Sequence, residues 1–240
     1  VAPCSNGVLI AGSFINTTPP YIARLDMEGH EDQQFGSGAG LDGPVYAMLV
    51  QPDGRILIGG IFTNFNGISS PSLTRLLANG SKDPDFNVGA GVHGGIGSVG
   101  SVWCLGLQED GKILIGGDFL SYNGTGRLRV ARLHSNGSLD TGFAPSPGPD
   151  KTVFALAVQP NNQVILGGDF TSVNGVSRSR IARLNSDGSL DQYFGQCEGA
   201  DGTVNALALQ HAGKVLPAGD FTTVAGGSRN GVARLDGNRS

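Results

Sequence analysis

Runs of consecutive apolar residues recur along this chain and alternate with glycine-rich turns. The clearest run is Lys112–Phe119, and it returns closely as Gln163–Phe170 and Lys214–Phe221 and more loosely as Arg55–Phe62 and Gly7–Phe14. Because the apolar residues are consecutive and not alternate, each run predicts a β-strand that is buried on both faces. Five copies of one strand predict five copies of one structural unit.

An arginine in the strand that follows each run gives the period of the repeat. These arginines are 51, 57, 51 and 51 residues apart, at Arg24, Arg75, Arg132, Arg183 and Arg234. A fixed period near fifty is in the range of propeller blades and is longer than most solenoid repeats.

The most regular copy contains four strand-like segments, separated by turn residues: Val153–Gln159, Gln163–Phe170, Arg180–Leu184 and Leu190–Phe194. Short strands joined by hairpins form an antiparallel sheet, and a sheet packed between two neighbours is buried on both faces. We therefore predict an all-β fold, a five-bladed β-propeller built from four-stranded antiparallel repeats.

One domain is predicted to span residues 1–240, with blade units at approximately 1–36, 45–87, 102–144, 153–195 and 204–236. Unit 1 lacks its first strand and unit 5 lacks its fourth, so the ring is predicted to be incomplete between the last and the first blade. Pro217 interrupts the second strand of unit 5, where proline favours an edge or a bulge. Either the ring closes there with a thinner seam, or the chain is a segment of a longer array.

Composition excludes several classes of function. The net charge is −4 and only 15% of residues are charged, without a basic stripe. This pattern argues against nucleic acids and anionic membranes as partners. The apolar runs are far shorter than a membrane span, so no membrane insertion is expected. The first residue is Val1 and not Met, which predicts that the chain was processed or cut from something longer.

The repeated pattern resembles a known family. It reads Val-x-Ala-Leu-Ala-x-Gln-Pro-x-Gly-Lys-Ile-Leu-Ile-Gly-Gly-Asp-Phe and then Arg-Ile-Ala-Arg-Leu-Asn-x-Asp-Gly-Ser-Leu-Asp-x-x-Phe. It is similar to the delta-60 repeat of bacterial surface and secreted proteins, and Val153–Phe194 matches almost position by position. The resemblance covers nearly the whole chain. It implies a β-propeller and an extracellular or cell-surface location, and it brings no catalytic motif.

The repeated arginines are the first candidates for a site. In four units an aspartate follows eight residues later, and the intervening hairpin folds it back toward the arginine; the pairs are Arg24–Asp32, Arg75–Asp83, Arg132–Asp140 and Arg183–Asp191. We interpret them as one structural ion pair per blade, and the alternative is a ring of anion sites. Arg234 has no such aspartate.

Asp118, Asp169 and Asp220 recur at the end of the second strand. They could line one rim of the ring as a cation or sugar site, or they could cap a turn. Calcium ligands usually form a denser cluster than one aspartate per blade, so we predict neither a metal nor a cofactor. We also predict no catalytic residue, because the non-repeated acids that a glycosidase would need stand singly in turns and loops.

Five asparagines fit the glycosylation pattern, although Asn-Gly also serves tight turns: Asn16, Asn79, Asn123, Asn136 and Asn238. Cys104 is predicted to be a small buried hydrophobe. Cys4 and Cys197 are predicted on opposite faces of the disc. An internal disulfide is therefore hard to arrange, and we expect free thiols or a disulfide to another chain.

These observations predict a non-catalytic extracellular module with a structural, adhesion or assembly role at the cell surface. Its expected partner is a protein, through self-association or a larger surface assembly, or a glycan. The alternative is a carbohydrate-binding, lectin-like propeller, which a glycan array would reveal. A propeller glycosidase or other hydrolase is the third possibility.

Overall fold

Each of the five repeat units folds into a three-stranded antiparallel sheet, called here its main sheet. The computed structural model describes residues 1–4, 7–15, 17, 20–36, 38–95, 98–194, 199–210 and 213–237. In chain order the strands of the main sheets are Ala2–Cys4, Gly7–Ala11 and Ile22–Leu25; Val45–Val50, Ile56–Gly60 and Leu73–Leu76; Ser101–Leu107, Ile113–Asp118 and Val130–Leu133; Val153–Val158, Val164–Gly168 and Ile181–Leu184; and Val204–Gln210, Lys214–Gly219 and Leu235–Asp236. The second strand lies in the middle of every sheet.

The prediction of a fourth strand is wrong. Only a single β-bridge forms in its place in each of the first four units, at Leu25–Glu31, Leu76–Lys82, Leu133–Leu139 and Leu184–Leu190. The aspartate that follows bends the chain. Asp191 Oδ1, for example, accepts a hydrogen bond of 2.9 Å from the backbone N–H of Tyr193. This side-chain turn competes with the extended pairing that a strand would need.

A small hairpin follows the second strand in units 2 to 5, between the predicted second and third strands. Its two-residue strands are Asn64–Phe65 and Ile68–Ser69, Ser121–Tyr122 and Thr125–Gly126, Ser172–Val173 and Val176–Ser177, and Thr223–Val224 and Gly227–Ser228. Asn174 and Gly175 both have positive φ, 52° and 76°, as a tight hairpin turn of this length requires. In unit 3 the strands Val92–Gly95 and Ser98–Val99 extend the hairpin to a four-stranded sheet.

Side chains of each second strand point alternately to two opposite faces of the main sheet. Leu114 lies on the face that packs against unit 4, in a buried cluster with Val153 and Val164. Ile113 lies on the opposite face and is buried with Leu57 of unit 2. We call the first the leading face and the second the trailing face, and the predicted burial on both faces is thereby explained.

Buried clusters join consecutive units in the order of the chain. They connect units 1 and 2, 2 and 3, 3 and 4, and 4 and 5. The remaining cluster, around Val204 and Phe221, contains residues of unit 5 and of the segment just before it. In the part of the chain that the structure describes, no buried cluster joins unit 5 to unit 1.

In units 2 to 4 the second strand contains two consecutive Gly residues, which have different neighbours. A Cβ on Gly117 would lie 1.9 Å from the carbonyl oxygen of Ser101 in the same unit. A Cβ on Gly116 would lie 2.5 Å from Cys104 Sγ and 2.9 Å from a methyl of Val153 in the next unit. One glycine therefore permits close strand pairing and the other permits close packing of units.

Units 1 and 5 differ from the others. The first strand of unit 1 was predicted to be missing, but the three-residue strand Ala2–Cys4 pairs with Gly7–Leu9 in its place. In unit 5 the third strand pairs with Lys214 and Val215. Beyond them Pro217, which has no N–H to donate, interrupts the ladder, and the pairing resumes only as the single bridge Ala218–Val232. No α-helix occurs among the described residues, so this part of the chain contains no helix that could span a membrane.

Candidate assembly site

The repeated arginine lies in a cage that connects one unit to the next. Arg183 Nε donates to Asp191 Oδ2 at 2.8 Å, and its guanidinium carbon lies 4.7 Å from the centre of the Phe194 ring. Its Nη1 donates to the carbonyl of Gly237 in unit 5. The first three units repeat this arrangement, with inter-unit hydrogen bonds from Arg24 to Ala78 (2.9 Å), from Arg75 to Ser135 (2.5 Å) and from Arg132 to Ser186 (2.6 Å).

The charged groups of these cages are buried, so each cage stabilises the fold only when all of its partners are present. The side chains of Arg183 and Asp191 are each 9% exposed. Burial alone would raise the pKa of Asp191, but hydrogen bonds from the Tyr193 N–H and from Arg183 hold it below its usual value. The three groups around the Arg183 guanidinium are the Asp191 carboxylate, the Phe194 ring and the Gly237 carbonyl. Because the carbonyl belongs to unit 5, Arg183 helps to join unit 4 to unit 5.

Arg234 occupies the same position in unit 5 without these partners. It is exposed and makes no hydrogen bond or ion pair with any residue that the structure describes. Whereas Arg183 donates to the carbonyl of Gly237, no carbonyl of the described residues accepts a hydrogen bond from Arg234.

The leading face of unit 5 is open. In units 1 to 4 the leading-face residue of the second strand is at most 1% exposed; these residues are Leu9, Leu57, Leu114 and Ile165. The equivalent Leu216 is only half-buried. On the third strand, Ile181 of unit 4 is 2% exposed, whereas the equivalent Val232 is 62% exposed.

The trailing face of unit 1 is open in the same way. In units 2 to 5 the trailing-face residue of the second strand is at most 2% exposed; these residues are Ile56, Ile113, Val164 and Val215. The equivalent Val8 is half-buried, and so is Leu25 opposite it on the third strand. Met27, whose carbonyl corresponds to the arginine acceptor of the later units, is 81% exposed.

A row of aromatic side chains crosses units 2 to 4. Tyr46, Trp103 and Phe154 are each the extra residue of a β-bulge near the start of a first strand, and a bulge redirects its side chain. Tyr46 stacks on Trp103 with ring centres 4.1 Å apart, and Phe154 meets Trp103 edge-on at 5.5 Å. The sequence places all three in one column of the repeat, a signal from which these contacts could have been predicted.

The predicted rim aspartates have local partners. Asp118 is exposed and lies 3.5 Å from Arg129 Nε, while Asp220 Oδ2 accepts a 2.9 Å hydrogen bond from Asn205 Nδ2. The backbone N–H of Asp169 donates to Thr152. Among the described residues, no three His, Cys, Asp or Glu side chains are grouped as metal ligands.

In units 2, 4 and 5 a second aspartate, which the sequence analysis missed, fastens the small hairpin, called here the side hairpin. Asp150 accepts hydrogen bonds from the hydroxyl and N–H of Thr171 and from the N–H of Ser172, at 2.7 to 3.0 Å. Burial opposes its ionisation, yet these bonds lower its pKa from 3.8 to about 2. Asp42 and Asp201 repeat the motif with Thr63 and Thr222. The sequence signal is the recurrence of this aspartate in the connections that precede units 2, 4 and 5.

The glycosylation candidates serve turns where they are described. Asn79 and Asn136 each accept hydrogen bonds from a serine two residues later, and Asn123 has positive φ in a hairpin turn. Asn16 and Asn238 lie outside the described residues, and glycosylation stays a prediction at all five.

Two of the three cysteines can be described. Cys104 and Cys4 carry free thiols; Cys104 is buried and Cys4 is half-buried. Burial raises the pKa of the Cys104 thiol. Cys197 lies outside the described residues, and the disulfide to another chain stays a prediction.

A cleft of about 640 Å³ opens beside the arginine cage, between units 2 and 3. Gly111 lines it. At the equivalent place in unit 4, Asn162 accepts a 3.0 Å hydrogen bond from Gln108 of unit 3. The side chain that connects units 3 and 4 is therefore absent between units 2 and 3, and this absence leaves the space.

Comparison with known proteins identifies the repeat. A family model described as a domain of unknown function (DUF5122) beta-propeller matches residues 51–86, 108–143, 159–194 and 213–238. Three of the four segments end at the phenylalanine of an arginine cage, so the matched repeat follows the units described above. No curated protein matches the chain in sequence.

Solved structures share the fold at low sequence identity. A protein of unknown function from Bacteroides caccae superimposes with a TM-score of 0.51 and 15% identity over 90% of this chain and 71% of its own. The extracellular domain of BT3049 from B. thetaiotaomicron gives 0.50 and 14%, covering 89% of this chain and 26% of its own. PorZ, a surface component of the type-IX secretion system of Porphyromonas gingivalis, gives 0.50 and 12%, covering 96% and 32%. This chain therefore spans less than a third of the last two proteins.

Proposed function

The chain belongs to this family of β-propeller repeat domains, and we propose that it is a non-catalytic extracellular module with a structural, adhesion or assembly role at the cell surface. In this proposal its five units are five blades of a propeller, and its repeats are those of the delta-60 type. Its partner is another protein in a surface assembly.

The arginine cage is the observation that carries the proposal. In four units the repeated charged residues face each other or the backbone of the next unit, as Arg132 does with Asp140 and Ser186. Buried charges of this kind stabilise contacts between units only when every partner is present. The repeat thus uses its polar side chains to join units.

The extracellular location has two kinds of support. The repeat resembles that of bacterial surface and secreted proteins. Two proteins of the same fold are, by their descriptions, an extracellular domain and a surface component. An extracellular module that joins repeat units would act as a spacer or a connector.

Protease treatment of intact source cells tests the proposed location. If the module lies at the cell surface, peptides from its exposed hairpins, such as the one containing Ile68, are released without cell lysis. A cytoplasmic protein of the same cells is the control. Release of these peptides only after lysis, together with the control, would contradict the proposal.

The aromatic row favours a lectin as the second candidate. Tyr46 is 36% exposed, and its ring lies beside a cavity of about 270 Å³ that Trp103 also lines. Sugar rings stack their apolar C–H faces on such aromatic surfaces, as cations and other rings do. A sugar on Tyr46 would also perturb the single tryptophan through the 4.1 Å stack.

Tryptophan fluorescence provides a direct test of this second candidate. A glycan array selects sugars, and titration of each hit should shift the Trp103 emission in the wild type and not in Tyr46→Ala. Leu120→Ala, which changes an exposed apolar residue outside the aromatic row, is the matched control. An array without hits would remove the lectin from consideration.

A further inference from the structure

Four interfaces between units follow one design. In each, a leading-face leucine or isoleucine of the second strand packs on the next unit, and a third-strand arginine donates to a carbonyl of that unit. The acceptors are equivalent positions of the repeat: Ala78, Ser135, Ser186 and Gly237. One half of a fifth interface of this design lies on unit 5 and the other half lies on unit 1.

Unit 5 presents the donor half. Leu216, Val232 and Arg234 occupy the positions of Ile165, Ile181 and Arg183, which are buried against unit 5 in the preceding interface. The uncovered surface combines two apolar side chains with a guanidinium that lacks a described partner. A partner that supplies both a carbonyl and an apolar surface would complement this combination.

Unit 1 presents the acceptor half. Val8 and Leu25 stand where Ile56 and Leu76 receive unit 1 in the first interface, and those two are at most 2% exposed. The Met27 carbonyl stands where Ala78 accepts the hydrogen bond from Arg24. The trailing face of unit 1 therefore carries the apolar surface and the carbonyl that the leading face of unit 5 lacks.

We propose that the leading face of unit 5 binds the trailing face of unit 1 in a second copy of this chain. The inference rests on the assembly role proposed above and specifies its partner and its two surfaces. Within one chain the described residues of the two faces are not buried against each other, whereas a second copy carries both halves. The contact is heterologous, so it closes into a ring if the geometry permits and otherwise extends into a filament.

Sedimentation of the purified 240-residue chain over a wide concentration range tests this contact. The expected result is a mass that rises with concentration from that of a 24.6 kDa monomer. Arg234→Ala removes one hydrogen bond from a charged donor, so it should weaken association roughly ten- to a hundredfold. A wild-type chain that stays at 24.6 kDa at every concentration overturns the proposal.

Val232→Glu should abolish self-association, because it places a carboxylate in the apolar part of the leading face. Ile68→Glu is the matched control, since Ile68 is similarly exposed, at 54%, but lies on a side hairpin. Circular dichroism should show that both variants fold. If both variants lose association equally, or if neither loses it, the result contradicts the assigned surface.

A mixing experiment tests the head-to-tail direction. Labelled Val232→Glu chains should not bind each other, yet they should bind wild-type chains, because their unit 1 still fits the wild-type unit 5. A symmetric contact between two copies of unit 5 predicts no binding, and that result overturns the proposal. These masses do not depend on cellular location, so a failure of the extracellular assignment would be seen separately in the protease experiment.

Discussion

Replacing Arg183 with alanine should destabilise the fold severely. The substitution removes the cation from the buried Asp191, the contact with the Phe194 ring and the hydrogen bond to unit 5. Breaking a buried ion pair by removing one partner costs about 3–5 kcal/mol. Each kcal/mol lowers the melting temperature of a protein of about 150–250 residues by about 2–4 °C. We therefore expect a decrease of roughly 6–20 °C.

The same column of the repeat supplies the control. Arg234→Ala changes the same residue type at the equivalent position of the repeat, but the side chain is exposed and has no described partner. Its effect on the stability of the dilute chain should stay within about 0.5 kcal/mol, as for most surface substitutions. Calorimetry and urea denaturation at low protein concentration would compare both variants with the wild type.

A double-variant cycle identifies the physical cause. If the cost arises from an unpaired buried carboxylate, Arg183→Ala combined with Asp191→Ala should be less destabilised than the sum of the single changes. Equal melting temperatures for Arg183→Ala and Arg234→Ala would refute the argument that the cage joins units 4 and 5. Loss of a specific ligand with unchanged stability would instead make the arginine column a binding site.

Three further predictions concern edges, glycines and pH. Hydrogen exchange should show Val204–Gln210 opening before Val153–Val158, because the former strand is largely exposed; equal protection would contradict this order. Gly117→Ala should cost at least about 1–3 kcal/mol through its clash with a backbone oxygen, whereas Gly126→Ala, with open space around it, should be nearly neutral in urea denaturation. The pKa of Asp150 is lower in the folded than in the unfolded chain, so its contribution to stability is complete above pH 3.8 and is lost as the pH falls toward 2; the urea midpoint of Asp150→Asn should depend less on pH in that window.

The main sheets could be predicted because each strand carries its own signal. The predicted segment Val153–Gln159 corresponds to the observed Val153–Val158, and Arg180–Leu184 to Ile181–Leu184. The fourth strand could not be judged by its apolar residues alone. Its Asp191 forms a turn with its own backbone, and a side chain that competes for backbone hydrogen bonds overrides the local pattern.

The candidate site could be predicted only in part. The Arg183–Asp191 pair follows from the hairpin that the sequence predicts between them. The hydrogen bond from Arg183 to Gly237 does not, since its acceptor is a backbone carbonyl and any residue carries one. The shared column of the repeat could have predicted the contacts of Trp103 with Tyr46 and Phe154, whereas the bulge in each first strand that orients the three rings could not be predicted.

Arg183 and Arg234 show why sequence repetition alone cannot assign a role to a residue in this chain. Each follows an alanine and precedes a leucine at the same position of its repeat unit. Arg183 is 7% exposed because an aspartate, an aromatic ring and the next unit surround it, whereas Arg234 is exposed. The burial that makes the cage costly to break is thus a property of the interface and not of the arginine. For the same reason, a partner unit that covers Arg234 should convert it from a residue without effect on stability into one whose removal weakens the assembly.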